Sequence, residues 1–444
     1  MKPRALPRLA LADRTPLALL LNERQDDEDF TRARRFGRFL EPFHLKYSVT
    51  NEVQGRHCLV NGRRVVHFGS ENYLGLEQHP EVVYAAKRAI DELGTDSGCP
   101  RLVSTQSNIV ELEAALAQLL GAEAALLGNC AYQIHAETLG ALFGDEDSVL
   151  FLDRNANLDL VRAAEAASAR GARVVRVDVS NPPALRRVLK GAAKGALLLD
   201  GVSPIHGHCA DLPLLDDLCR EAGLVLYVDD SHGVGVLGPN GGGACEAAGL
   251  GYENLVVVGS LQKAFGAYGA FLAGGRELAE LLRLTSRSYA ATGTLQPAAV
   301  EAALASVRIA RTLEGRQLRA QLLDRSRRVR AQLRALGYVV PEGDTPILPV
   351  SVGRDLKTLM AGRKLYDLGV FVPAVLHPDL PRGKGVLRVS LTTLHTEEDL
   401  AKLVAAFRDL RHYLPRHENP LRQAAHFVLE AGKARWLGSA YAGL

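Results

Sequence analysis

The chain has 444 residues, of which 47% are hydrophobic and 23% charged, with a formal net charge of +3. This length predicts two or three domains, and the composition is ordinary for a globular protein. The small net charge indicates neither a nucleic-acid partner nor an anionic membrane surface, and no apolar run approaches the roughly 18 residues of a membrane span.

The cysteines and the N-terminal stretch bear on the compartment. The six cysteines are scattered without a CxxC pair, which predicts neither a zinc site nor a disulfide framework and fits a reducing compartment. The basic N-terminal stretch is interrupted by Asp13, Arg14 and Pro16, which is not typical of a signal peptide, whereas a transit peptide stays open. We therefore expect a cytoplasmic protein that holds no metal.

The first part of the chain is predicted to form a charged arm followed by a hairpin and a helix. Residues 1–55 carry acidic and basic clusters and are assigned to an N-terminal arm. The next segment predicts a hairpin around Asn61-Gly62. In "NIVELEAALAQLLG", helical spacing places apolar side chains on one face, and Gly121 ends the helix. These side chains are Ile109, Leu112, Leu116, Leu119 and Leu120.

From about residue 122 to 275, short apolar runs alternate with helical patterns. The runs are "SVLFL", "ARVVRVDV", "GALLLDGV", "GLVLYVDD" and "NLVVVGS". Continuous β-rich runs separated by helices indicate an α/β fold with a parallel sheet covered on both faces. We predict a large domain over residues 56–305, a helical stretch from about 296 to 337, a smaller C-terminal α+β domain over residues 306–415, and a tail over residues 416–444.

Polar side chains follow three of these runs, and ligands of open α/β sheets lie at the carboxyl ends of the strands. Ser203 and His206 follow "LLLDG", Asp229, Asp230 and His232 follow "LVLYV", and Ser260 and Lys263 follow "LVVVG". Such a convergence on one sheet edge favours a functional site. Asp230 fits a helix N-cap, whereas Asp229, first after its strand, is the functional candidate.

Lys263 suggests the chemistry of this edge, because a lysine that ends a buried strand must reach water or use its amine. A lysine, a strand-end aspartate and a hydroxyl three residues before the lysine are the groups that pyridoxal phosphate requires. The lysine forms an imine with the aldehyde, and the aspartate keeps the pyridine nitrogen protonated, which makes the ring an electron sink. The hydroxyl and nearby backbone N–H groups bind the phosphate. The sequence thus predicts pyridoxal phosphate as cofactor.

The elements "VDDSHGVGVLGPNG" and "GSLQKAFGAYGAF", with the late "LRVSLT", resemble the α-oxoamine synthases, and the resemblance covers most of the chain. It implies an aspartate-aminotransferase-like fold (fold type I) with a mostly parallel seven-stranded sheet and a smaller C-terminal α+β domain. It also implies the family's reaction, in which an amino acid and an acyl thioester, carried by CoA or an acyl-carrier protein, condense with loss of carbon dioxide. A homodimer is implied as well, because in this family a loop of one subunit reaches the cofactor phosphate of the other.

Carried over position by position, the resemblance gives each candidate a role. Lys263 matches the imine lysine that also takes the α-proton, Asp229 the pyridinium partner, and His232 the group that hydrogen-bonds the ring hydroxyl. Arg388 matches the arginine that grips the substrate carboxylate, a task suited to a guanidinium. The implied phosphate contacts are Ser260, the backbone of Cys130, Ala131 and Tyr132, and, in the neighbouring subunit, Thr292 and Thr294. The resemblance adds Ser203 to the cofactor site, and Asn72 and His206 to the substrate site.

The sequence departs from the family at Asn157, which stands where the family has a histidine stacked over the cofactor ring. An asparagine neither stacks comparably nor donates a proton at neutral pH, which leaves the orientation of the condensation step open. His206 or His135 replaces that imidazole in one interpretation and is a structural histidine in the other. Two further departures are Glu71 before Asn72 and Asp200 in the wall formed by "DGVSPIHG".

Two alternatives to the condensing enzyme stay open from the sequence. One is another fold-type I pyridoxal-phosphate enzyme, namely a lyase, an aldolase or an aminotransferase. The other is a non-catalytic partner subunit of such an enzyme, although partner subunits of this kind lose the lysine that this chain keeps.

Overall fold

A computed structural model describes residues 55–60, 62–191, 194–377 and 379–413. The predicted tail, and the predicted N-terminal arm apart from residue 55, lie outside these residues. Within the described ranges, no helix is long and apolar enough to cross a membrane.

The strands are β1 His57–Val60, β2 Arg63–His67, β3 Ala124–Gly128, β4 Val149–Asp153, β5 Arg173–Val177, β6 Gly195–Asp200, β7 Val225–Asp229, β8 Leu255–Ser260, β9 Ala270–Gly274, β10 Ile347–Gly353, β11 Val370–Phe371, β12 Ala374–Val375 and β13 Gly385–Ser390. The α-helices are α1 Pro80–Leu93, α2 Ser107–Leu120, α3 Ala131–Phe143, α4 Leu158–Ser168, α5 Pro182–Leu189, α6 Leu212–Ala222, α7 Ala244–Ala247, α8 Arg276–Thr285, α9 Arg287–Ala291, α10 Pro297–Ala310, α11 Leu313–Ala335, α12 Asp355–Asp367 and α13 Glu397–Tyr413. A 3₁₀ turn spans Leu76–Gln78.

The central sheet has seven strands in the order β3-β9-β8-β7-β6-β4-β5. The five strands β4 to β8 pair in parallel with one another, whereas β9 runs antiparallel to both β8 and β3. Crossover helices return the chain between parallel strands, which is why β4, β6, β7 and β8 are buried apolar runs. The predicted α/β fold with a mostly parallel seven-stranded sheet is confirmed.

The core of this sheet packs against α3 and α4. Leu150, Leu152 and Tyr227 on the strands are fully or almost fully buried, as are Leu139 on α3 and Leu160 on α4. Each side chain of this size contributes about 1.5–3 kcal/mol when it leaves water. This packing fixes the strand ends that carry the polar residues of interest.

Local sequence signals account for several boundaries. Helix α2 ends at Gly121 as predicted, and this glycine adopts a left-handed conformation (φ 71°) in which its N–H bonds Ala117 O. The predicted hairpin is confirmed by the antiparallel pairing of β1 with β2, although Asn61 itself lies outside the described residues. The helical stretch after residue 296 is interrupted: α10 ends at Ala310, and Thr312 caps the next helix by accepting a bond from Gly315 N.

The described residues fall into two compact units. The larger unit, residues 68–191, 194–349 and 388–400, contains the seven-stranded sheet. The smaller unit, residues 55–60, 62–67, 350–377, 379–387 and 401–413, contains the sheet β1-β2-β11 and the antiparallel pair of β12 with the start of β13. The domain boundaries derived from the sequence stay a prediction.

Candidate active site

A cavity of about 250 Å³ opens at the carboxyl ends of β7 and β8. These strands are parallel neighbours, with Asp229 opposite Val258, so the residues that follow them lie side by side. The lining residues, all in the larger unit, are Cys130, Ala131, Asn157, Leu158, Asp159, Asp229, Ser231, His232, Ser260, Gln262, Lys263 and Gly269.

Asp229 is held ionised at the floor of this cavity. Its Oδ2 accepts bonds from His135 Nε2 (2.9 Å) and Asn157 Nδ2 (2.8 Å), and its Oδ1 accepts from Ser231 N (3.0 Å). Burial alone raises the pKa of Asp229, but the His135 hydrogen bond and the charge of Lys263 outweigh it, so the pKa lies below its ordinary value. A carboxylate has about four acceptor positions, so this anion keeps room for one further donor.

Asn157 connects two carboxyl groups to a helix start. Its Oδ1 accepts from Leu160 N (3.0 Å) and caps α4, while its Nδ2 donates to both Asp200 Oδ1 (2.6 Å) and Asp229 Oδ2. Burial and the nearby charge of Asp229 raise the pKa of Asp200 well above its ordinary value. Asn157 thus orients Asp229 from the position where the resemblance has a stacking histidine.

Lys263 and Arg388 meet at the carboxylate of Glu71. Lys263 is half-buried, and its Nζ lies 4.0 Å from Glu71 Oε2. Arg388 Nη2 donates to Glu71 Oε1 at 2.8 Å. Burial raises the pKa of Glu71, but the positive charges of Arg388 and Lys263 outweigh this effect, so the pKa lies below its ordinary value. An amine and a guanidinium therefore lie within the span of one small molecule.

His232 lines the same cavity as Lys263 and is buried. Its Nδ1 shares a hydrogen bond of 2.7 Å with the Tyr73 hydroxyl. Burial, reinforced by the charge of Lys263, lowers the pKa of His232 to about 3, so the imidazole is neutral. A neutral ring bound at Nδ1 offers Nε2 to a ligand.

Two parts of the cavity lining, the start of α3 and Ser260, offer donors suited to a phosphate. Cys130 is the N-cap of α3 and provides no side-chain cap, so the first N–H groups of the helix have no such partner. The Ser260 hydroxyl is buried and accepts a bond from Gln262 N (3.1 Å). A helix N-terminus with a free first turn favours an anion.

Several residues assigned from the sequence lie away from this lining. Ser203 accepts a bond from His206 N (3.2 Å) in the turn after β6, and Asn72 N donates to Ser70 Oγ (3.2 Å) ahead of Leu76–Gln78. Thr292 Oγ1 donates to Ser288 O, and Thr294 Oγ1 donates to Ser97 Oγ. These threonines line a second cavity with Arg101, Asn129 and Tyr289. His135 is fully buried between Asp229 and Tyr227.

The sequence predicts most of the residues that line the cavity. It does not predict the role of Tyr73, whose hydroxyl bonds His232 from outside this lining and orients its ring. The signal was present in "NYLGL", where a tyrosine stands between a polar residue and a glycine turn. The sequence marks Glu71 only as a departure from the family, because its position between two cations depends on segments more than a hundred residues apart.

Comparisons with known proteins agree with this geometry. The family model of aminotransferase class I and II matches residues 63–407. An 8-amino-7-oxononanoate synthase of Geobacter sulfurreducens is 36% identical over 80% of this chain and 90% of its own length. A serine palmitoyltransferase of Sphingomonas wittichii superposes with a TM-score of 0.81 at 26% identity, over 88% of this chain and 98% of that one. A serine palmitoyltransferase solved with pyridoxal phosphate superposes with a TM-score of 0.80 at 25% identity, over 90% of this chain and 100% of that one.

The chain belongs to the aminotransferase class I and II family and has the fold-type I architecture of pyridoxal-phosphate enzymes. Within that family it is an α-oxoamine synthase, a pyridoxal-phosphate-dependent acyltransferase.

The residues present fit this cofactor. Asp229 retains an acceptor position for a protonated ring nitrogen, as counted above, and Lys263 supplies an amine at the same cavity. The open N-terminus of α3 and the Ser260 hydroxyl form an anion-binding end. The cavity thus has a group for each polar part of the cofactor.

Proposed function

We propose that this chain condenses a small α-amino acid with an acyl thioester, releasing the thiol and carbon dioxide and giving an α-amino ketone. One observation supports this most directly: a single carboxylate, that of Glu71, lies 2.8 Å from Arg388 Nη2 and 4.0 Å from Lys263 Nζ. An amino acid whose carboxylate takes this place has its α-carbon within reach of the lysine amine. That is the arrangement needed to remove an α-proton from a bound amino acid.

In this proposal each residue has a defined task. Bound pyridoxal phosphate supplies an electron sink for the charge that develops at the α-carbon. Lys263 holds the cofactor before substrate arrives, and its freed amine then removes the α-proton. With the cofactor bound, Asp229 would accept a hydrogen bond from the protonated ring nitrogen, and His232 would donate from Nε2 to the ring hydroxyl. Ser260 and the backbone at the start of α3, from Cys130 to Tyr132, hold the phosphate.

Arg388 and the neighbouring turns define the substrate end in this proposal. Arg388 holds the amino-acid carboxylate until it leaves as carbon dioxide, since a guanidinium stays charged at every working pH. Asn72 and His206 are proposed contacts of the substrate, and Ser203 supports the wall beside the cofactor. CoA and a carrier protein are both proposed as thioester carriers, because these residues recognise the amino acid and not the thiol.

We also propose that the active unit is a homodimer. Thr292 and Thr294 flank the exposed Gly293, and they are not among the residues that line the cavity of Lys263 in their own chain. A partner chain would bring this loop to the phosphate end of the other cavity.

The test is release of thiol and carbon dioxide from defined mixtures. Glycine, alanine and serine are incubated in turn with CoA and carrier-protein thioesters of several chain lengths. We expect at least one pair to release both products in equal amounts, Lys263→Ala to release neither, and the exposed-lysine control Lys87→Ala to match the wild type. Transamination or retro-aldol products without thiol would replace the proposal by its alternative, another fold-type I reaction.

A further inference from the structure

The guanidinium of Arg388 is already occupied by an anion of its own chain. Arg388 Nε donates to Pro204 O at 2.5 Å and Nη1 donates to Ser390 Oγ at 2.8 Å, which fix the group to the protein. Its Nη2 donates to Glu71 Oε1 at 2.8 Å, and Glu71 is its ion-pair partner among the described residues. The charged face of Arg388 therefore points at Glu71.

The two partners differ in how firmly they are held. The Arg388 side chain is 9% exposed, whereas 38% of the Glu71 side chain is exposed. Glu71 belongs to a short turn in which Tyr73 N donates to Glu71 O at 2.8 Å, so its backbone is anchored while its side chain is partly exposed. Displacing Glu71 needs only a side-chain rotation, but displacing Arg388 would break two further bonds.

We propose that Glu71 acts as an internal carboxylate that closes the anion site of Arg388 and must be displaced by the carboxylate of the amino acid. This inference rests on the proposed role of Arg388 as the carboxylate-binding group. Two carboxylates repel each other beside one cation, so the incoming carboxylate competes with Glu71. Glu71 is thus a specificity-determining residue that lowers the affinity for carboxylates.

A consequence follows for the class of amino acid. After displacement, Glu71 stays tethered beside the site, where its charge adds to that of the bound carboxylate. A substrate with a second carboxylate meets this charge, whereas a neutral side chain does not. The site therefore selects neutral amino acids over dicarboxylic ones, and Glu71→Gln relaxes this selection.

The direct test uses propionate, which has a carboxylate but no amine to exchange with Lys263. Its dissociation constant is measured by calorimetry on the cofactor-loaded protein. We expect Glu71→Gln to bind propionate about tenfold more tightly than the wild type, the equivalent of about 1.4 kcal/mol. Glu280→Gln, which removes one exposed surface charge, should bind as the wild type does. The gain should disappear in Glu71→Gln/Arg388→Gln.

Equal or weaker propionate binding by Glu71→Gln would overturn the proposal, as would a gain that survives loss of Arg388. If Glu71→Gln does not fold, as judged by circular dichroism, Glu71→Ala is measured with the same expected tenfold gain. Failure of the proposed function looks different: the wild type then releases no thiol from any thioester, whatever its affinity for propionate.

Discussion

The side chain of Asn157 accepts one hydrogen bond, which caps α4, and donates two, to Asp200 and Asp229. Substitutions of Asn157 can therefore separate its contribution to the helix from its contribution to positioning the site. Asn157→Ser keeps a capping oxygen for α4 but loses the donations to Asp200 and Asp229. Asn157→Ala loses all three. A cap contributes about 1 kcal/mol and each donation about 1 kcal/mol or more, so we expect losses in unfolding free energy of about 2 kcal/mol for Ser and about 3 kcal/mol for Ala.

The assay is guanidinium unfolding of the cofactor-free protein, followed by circular dichroism, with midpoints compared at a common slope. Asn181 supplies the matched control, since it caps α5 through Ala184 N from an exposed position and, within the part of the chain that the structure describes, its side chain does not bond a carboxyl group. We expect Asn181→Ser to be neutral and Asn181→Ala to lose about 1 kcal/mol. If Asn157→Ser unfolds at the wild-type midpoint while Asn157→Ala does not, Asn157 is only a cap.

Three further predictions concern the remaining site residues. Asp229→Asn should fold but lose most exchange of the amino-acid α-proton in heavy water, followed by NMR, whereas Asp230→Asn should retain it; the reverse would exchange their roles. The lowered pKa of His232, about 3, means that the unfolded chain takes up a proton near pH 6.5 that the folded chain does not, so stability falls as the pH drops below 6.5. His232→Gln should therefore lose less unfolding free energy than the wild type between pH 6.5 and about pH 5, and an identical loss would contradict the buried neutral state. Mixing Lys263→Ala chains with Thr294→Ala chains should restore part of the activity if the sites are shared, whereas a fully active monomer in sedimentation would exclude sharing.

The parallel part of the sheet could be predicted because β4, β6, β7 and β8 are continuous apolar runs, which a strand buried on both faces requires. Strands β3 and β9 escaped prediction. Their sequences, "AALLG" and "AFLAG", are rich in alanine and glycine, which have little intrinsic preference for strands. The break at Thr312 was missed for a similar reason, because both flanking segments are strongly helical and one capping hydroxyl sets the boundary.

The lining of the cavity was largely predictable, because residues that follow parallel strands meet at one edge. The partners of these residues were not. The bond from His135 to Asp229 joins positions 94 residues apart, and the contact of Glu71 with Arg388 joins positions 317 apart. Neither the tautomer of a buried histidine nor the cation that a carboxylate contacts can be predicted from spacing along the chain.

In the proposed function, Lys263 carries the cofactor. Lys263 is half-buried at the cavity and Asp229 lies among the same lining residues. The direct measurement is borohydride reduction of the cofactor-loaded protein, followed by digestion and mass mapping of the modified lysine. We predict a single adduct on Lys263 and none in Lys263→Ala. An adduct on another lysine of the native protein would contradict the assignment.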